Sequence, residues 1–107
     1  MHDLLRLVEQ WASDRNLILG STPEAQLKKL YEEVGEIEDA LLDGDNEALI
    51  DGIGDCLVVL TILAKMTGYT AEYCLGEAYL EIKDRRGRMI DGVFVKEADL
   101  KARGLDV

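Results

Sequence analysis

Basic residues are missing from this chain where its acids are densest. Residues 30 to 64 contain no Lys or Arg, yet they hold ten acids: Glu32, Glu33, Glu36, Glu38, Asp39, Asp43, Asp45, Glu47, Asp51 and Asp55. The twelve remaining acids are matched by twelve bases, so the whole net charge of -10 lies in this one third of the sequence. Such a surface repels a nucleic-acid backbone unless divalent cations intervene, which argues against nucleic acid as a direct partner. Cysteine is also scarce. Cys56 opens an apolar run and Cys74 lies between Tyr73 and Leu75, and reduced core side chains are expected of them. Neither lies in a CxxC or Cys/His spacing, so no structural zinc site is expected. Long apolar runs are absent as well. No segment approaches the roughly 18 residues of a membrane span, and the first residues are too polar for a signal peptide. A cytoplasmic protein with no membrane partner is the expectation.

The chain has 107 residues, 48% of them apolar. That fits one domain over residues 1–107, with a core small enough that self-association becomes an issue. Periodicity predicts an all-α fold of four helices with a short C-terminal hairpin or loop. Leu4, Leu7, Val8 and Trp11 mark a first helix over about residues 3–14, and a polar stretch follows to Thr22. Ser21-Thr22-Pro23-Glu24 is a helix start. The second helix carries Leu27, Leu30, Tyr31, Val34, Ile37 and Leu41, and stops near Gly44. A third runs from about Asn46 to Thr67, before Gly68. A fourth follows the Thr70 cap and frays near Arg86-Gly87. Asp91-Gly92 between two short apolar runs predicts the hairpin. From Cys56 to Ala64 the third helix is apolar nearly all round, so it must be covered on every side. Four short helices in one chain cannot do that, and a homodimer or homotetramer is expected to supply the rest.

The acids are placed with equal regularity. Glu33 and Glu36 are three apart and share a helix edge. Glu47, Asp51 and Asp55 are each four apart, and the same line continues into Val58 and Ile62. The acidic row therefore runs into the core-facing row. Stacked acids on an inward line repel one another and lose hydration. A bound divalent ion is the simplest compensation, with a solvated acidic face as the alternative. An all-oxygen ligand set suits Mg²⁺, with Mn²⁺ possible, and not zinc. Gly52 and Gly54 interrupt this helix at about 1 kcal/mol each relative to Ala. They fit either close helix packing or room for a ligand.

Glu33-Val34-Gly35-Glu36, followed by Asp51-Gly52-Ile53-Gly54-Asp55, resembles the paired acidic motifs of the MazG-like, all-α nucleoside triphosphate pyrophosphohydrolases. Trp11 to Ser21 and Ile82 to Lys96 are also similar to small MazG-like proteins, so the resemblance spans nearly the whole chain. It implies Mg²⁺-dependent hydrolysis of a nucleoside triphosphate, a dNTP or a non-standard NTP, to the monophosphate and pyrophosphate. By position, Glu33, Glu36 and Asp55 would hold the metal with help from Asp51. Glu32 or Glu36 would orient or deprotonate the attacking water. The family often has Glu three residues before the last Asp. Here Gly52 stands there and the acid is Asp51, with Glu47 as an alternative. Lys29, Lys83 and Arg86 are the phosphate-binding candidates, and Trp11 with Arg15 the candidates for the base. Two other readings stay open at this level: a phosphoribosyl-ATP pyrophosphohydrolase, and a non-enzymatic acidic helical binding module. The module would expect exposed acids and would leave the two glycines unexplained.

Overall fold

The computed structural model of the chain describes residues 2–106. Its elements are α1 (His2–Asp14), α2 (Leu17–Gly20), α3 (Pro23–Asp43), α4 (Asn46–Met66), α5 (Ala71–Ile82), β1 (Gly87–Ile90), β2 (Val93–Lys96) and α6 (Glu97–Ala102). The fold is mostly helical, as expected, but the described residues form six helices and not four. The two additions are α2, inside the stretch read as polar loop, and α6, after the hairpin. They have four and six residues, too short for a repeating apolar pattern to register. The chain divides into two compact units, Met1–Cys74 and Leu75–Val107.

In the first unit, α3 and α4 form a helical hairpin, and both α1 and α2 pack on α4. The ends of this hairpin follow from local chemistry. The Thr22 side chain accepts a hydrogen bond from the Ala25 N–H at 3.1 Å, and Pro23 fills the first turn, where its missing N–H is not needed. At the other end Gly44 takes a left-handed conformation (φ 66°), and its N–H turns back to the carbonyls of Ala40 and Leu41. Asp45 then caps α4 by accepting from the Ala48 N–H at 3.0 Å. These caps end one helix and start the next on adjacent residues, and α3 and α4 then pack against each other.

The faces they bury take in only part of the apolar pattern. On α3 the inward line is Gln26, Leu30, Glu33, Ile37 and Ala40, at three- and four-residue spacing, with Glu33 and Ala40 buried. Of the six apolar positions expected to face the core, Leu30 and Ile37 lie on this line, but Leu27, Tyr31, Val34 and Leu41 are exposed. On α4, Val59, Thr61, Ile62 and Ala64 are buried, but Ile50, Ile53, Leu57 and Leu60 are exposed. The all-round cover expected for the Cys56–Ala64 stretch is therefore only half supplied within the chain. Gly52 is buried against α3, and a Cβ built on it would lie 2.9 Å from the Ile37 side chain. Close packing is what this glycine serves. At Gly54 nothing lies within 4 Å of that position. Cys56 is half-buried, but Cys74 is exposed, contrary to the core role expected of both.

The second unit holds most of α5, the hairpin and α6. The strands pair antiparallel with Ile90 opposite Val93 and Gly87 opposite Lys96. Asp91 (φ 50°) and Gly92 (φ 82°) make the turn. Positive φ at both positions matches the twist of a two-residue hairpin loop. A lone ribbon is marginal in water, and this one leans on α6, with Val95 and Leu100 buried. No residue of α5 is buried. Among the described residues, no helix is long and apolar enough to cross a membrane.

Candidate metal centre

The inward line of α3 puts a carboxylate where a packed helix normally places an aliphatic side chain. Glu33 is only 4% exposed. One of its oxygens, Oε2, is buried with no hydrogen-bond partner. An ionised carboxylate in that position is costly unless something cationic meets it. Glu36 follows one turn later on α3, and Asp55 projects from the facing part of α4. Single carboxylate oxygens of Glu33, Glu36 and Asp55 lie within 4.8 Å of one another. Glu33 is buried, Asp55 half-buried and Glu36 exposed, so the cluster opens to solvent on the Glu36 side.

Lys29 stands one turn before Glu33. Its Nζ lies 3.2 Å from Glu33 Oε1 and 3.8 Å from Glu32 Oε2. The hydrogen bond from this ammonium holds the Glu33 carboxyl below the usual range. The same contact raises Lys29. Glu36 is shifted the other way, chiefly by its hydrogen bond and charge interaction with Glu33. Asp55 is raised first by burial and then by the charges of Asp51 and Glu33. The Glu33 carboxyl is thus lowered by its ammonium partner while its two acidic neighbours are raised, the pattern expected of three carboxylates with one cation among them. Hard oxygen donors and an orphaned buried oxygen fit a divalent cation such as Mg²⁺ or Mn²⁺.

Asp51 and Glu47 are exposed. Asp51 falls outside the three-carboxylate cluster and lines an acid-walled cleft with Glu36, Asp39, Asp43 and Asp45. At Gly52, where the family often has its acid, a Cβ would lie 2.9 Å from the Ile37 side chain. Glu32 is exposed beside Lys29, at the rim of the cluster. Trp11 and Arg15 come together on α1. The Arg15 guanidinium sits 4.6 Å from the indole centroid and donates to the Trp11 carbonyl at 3.1 Å. Trp11 is not a core residue, being 45% exposed. With Leu4, Leu7, Val8 and Val58 it lines a cleft of about 420 Å³ that has Asp55 in its wall. The sequence signal for this cleft was the stripe on the first helix, whose spacing is the same for a core face and for a ligand face. Lys83 and Arg86 belong to the second unit. Lys83 is exposed, and Arg86 pairs loosely with Glu97 at 3.7 Å. Another hollow, lined by Lys65, Gly68, Tyr69, Thr70 and Tyr73 at the end of α4, contains no acid.

Residues 21–87 match the model of the MazG nucleotide pyrophosphohydrolase domain. The chain belongs to that family, and the matched segment contains α3, α4 and all three clustered carboxylates. It is also 46% identical over 65 residues to an uncharacterized 18.2 kDa protein in the rep–hol intergenic region of Haemophilus phage HP1. That match covers 61% of this chain and about 40% of the phage protein's length. No solved structure matches the chain significantly. Membership of the family points to nucleotide pyrophosphohydrolase chemistry and, in general, to a metal requirement.

Proposed function

We propose that the chain hydrolyses nucleoside triphosphates, dNTPs or non-standard NTPs, to the monophosphate and pyrophosphate in a Mg²⁺-dependent reaction. The observation that carries this is the buried, half-unpartnered Glu33 carboxylate within 4.8 Å of Glu36 and Asp55. A merely acidic binding module would keep its carboxylates in water, where each is solvated at no expense. Glu33, Glu36 and Asp55 hold the ion, and Asp51 assists from one turn before Asp55. Bound there, a divalent ion neutralises the charge of the triphosphate and of the transition state. Glu32, exposed and paired loosely with Lys29, accepts the proton of the attacking water, a role that Glu36 can share. Lys29 is the first cationic partner for the phosphates. Lys83 and Arg86 are further candidates by their chemistry. The cleft beside Asp55 takes the base, with Trp11 stacking on it and Arg15 fixing the indole. The substrate assigns the work to the cytoplasm.

The exposed stripes of α3 and α4 belong to the same reading. Leu27, Tyr31, Val34 and Leu41 on one helix, with Ile50, Ile53, Leu57 and Leu60 on the other, form the contact of a homodimer or homotetramer. The decisive experiment is pyrophosphate release from a panel of nucleoside triphosphates, with Mg²⁺ and with EDTA. Release that requires the metal supports the proposal. No release from any triphosphate by folded protein in millimolar Mg²⁺ would sink it.

A further inference from the structure

The acidic cluster already has one cation, and it is part of the chain. Lys29 Nζ sits 3.2 Å from Glu33 Oε1, while Oε2 of the same carboxylate has no partner. Lys29 is also the last base before residue 65, because residues 30 to 64 contain no Lys or Arg. The two partners differ sharply in freedom. The Glu33 side chain is 6% exposed and the Lys29 side chain 53%. One is fixed in the helix seam and the other hangs on a flexible stem in water.

We propose that Lys29 is the resident counter-ion of the cluster, competing with a divalent cation for Glu33 and thereby setting the metal affinity. The inference rests on the metal-binding reading above. An ammonium on one oxygen and a dication on the other would flank a single carboxylate, and like charges that close oppose each other. Antagonism of this kind is reciprocal: whatever Lys29 takes from metal affinity, bound metal takes from the hold of Glu33 on Lys29. The loosened ammonium stays tethered at the cluster rim, where an anionic phosphate chain can take it up. A nucleotide that engages Lys29 relieves the competition, so metal and nucleotide favour each other's binding. Before metal arrives, Lys29 keeps the buried Glu33 charge compensated and the seam of α3 and α4 closed.

The test uses Mn²⁺ alone, titrated into the intact chain and read by the resonance of the free ion. Lys29→Gln is expected to bind Mn²⁺ about three- to tenfold more tightly than the native chain, the scale of a partly buried ion pair given up. It should also melt at a lower temperature when metal-free. Lys29→Arg keeps the charge and should bind Mn²⁺ near the native affinity. Lys28→Gln changes the net charge equally, but on the exposed side of α3, and should also leave Mn²⁺ affinity unchanged. Circular dichroism confirms that each variant is folded. If native protein binds Mn²⁺ and Lys29→Gln binds it no better, the competition is refuted while the metal site stands. The same holds if Lys28→Gln gains as much as Lys29→Gln, since net charge then explains the effect. If native protein binds no Mn²⁺ at millimolar concentration, the metal site and the competition fall together.

Discussion

Glu36→Gln and Asp55→Asn each delete charge from the cluster at nearly constant shape. Each is expected to lower turnover by orders of magnitude in steady-state kinetics at saturating Mg²⁺, with the fold intact by circular dichroism. Both should raise the melting temperature of the metal-free chain, because both carboxyls are raised in the folded state and their ionisation opposes folding. The pH dependence follows from the same directions. A carboxyl raised on folding takes up its proton in the native state first, so stability contributed by Glu36 and Asp55 grows as pH falls from neutrality through their raised values. Glu33 is lowered, so its stabilising contribution is lost only at more acid pH, below the ordinary carboxylate range. Metal-free melts should therefore rise and then fall as pH drops, and Asp55→Asn should flatten the rise. A native metal-free chain that only loses stability on acidification would contradict this arrangement. Asp51→Ala tests the departure from the family pattern. A large loss of activity places Asp51 in the working set, whereas a mild loss together with a severe one for Glu47→Ala places Glu47 there.

The helices show what could be read in the sequence and what could not. Thr22-Pro23, Gly44-Asp45 and Asp91-Gly92 located the starts, stops and turn correctly, because capping and turn chemistry act within a few residues of themselves. The pairing of Glu33 and Glu36 also followed from helical spacing alone, but of the acidic row Glu47, Asp51 and Asp55 expected to point inward only Asp55 does, since Glu47 and Asp51 are exposed. What failed was the choice of inward face on α3. Its two parallel lines, one through Glu33 and Ile37 and one through Tyr31 and Val34, have the same period. The apolar set Leu27, Leu30, Tyr31, Val34, Ile37 and Leu41 straddles both lines, and the chain turns only Leu30 and Ile37 of it inward, leaving the other four exposed. Gly52 and Gly54 were equally ambiguous, since a missing side chain does not say what it makes room for. They now separate. Gly52→Ala forces a methyl into the Ile37 contact and should destabilise by about 1–3 kcal/mol from overpacking, offset in part by better helix propensity. Gly54→Ala meets open space and should stabilise by about 0.5–1 kcal/mol. Denaturant unfolding distinguishes the two, and the opposite order would mean that α3 and α4 pack differently.

For the molecule as a whole, the weak point is its core. The buried apolar residues of the first unit are mainly small: Ala12, Ala40, Val59, Ile62 and Ala64. Many of the large ones, including Leu27, Tyr31, Leu57 and Leu60, are on the surface. A domain of this size with its bulkiest side chains in water has little net stability to spare. Sedimentation is accordingly expected to show a dimer or tetramer, and Leu57→Glu with Leu60→Glu should yield monomers that are largely unfolded. A stable, folded monomer of 11.9 kDa would show that these stripes are not the contact. Divalent metal should add to stability independently of assembly. At a concentration about a hundred times its Kd, Mg²⁺ would contribute about 2.7 kcal/mol, visible as a clear upward shift of the melt.

Trp11 is the single tryptophan of the chain, and its ring has a guanidinium at 4.6 Å on one face and an open apolar cleft beside it. Indole emission depends on just such surroundings, so the protein has a built-in optical reporter at the mouth of its proposed base site. A base that stacks there would quench the emission directly, whereas a triphosphate held only by its phosphates would leave the colour and lifetime of the signal as they were. Fluorescence of the native chain, with no label and no substitution, can therefore separate recognition of the base from recognition of the phosphates before any bond is broken.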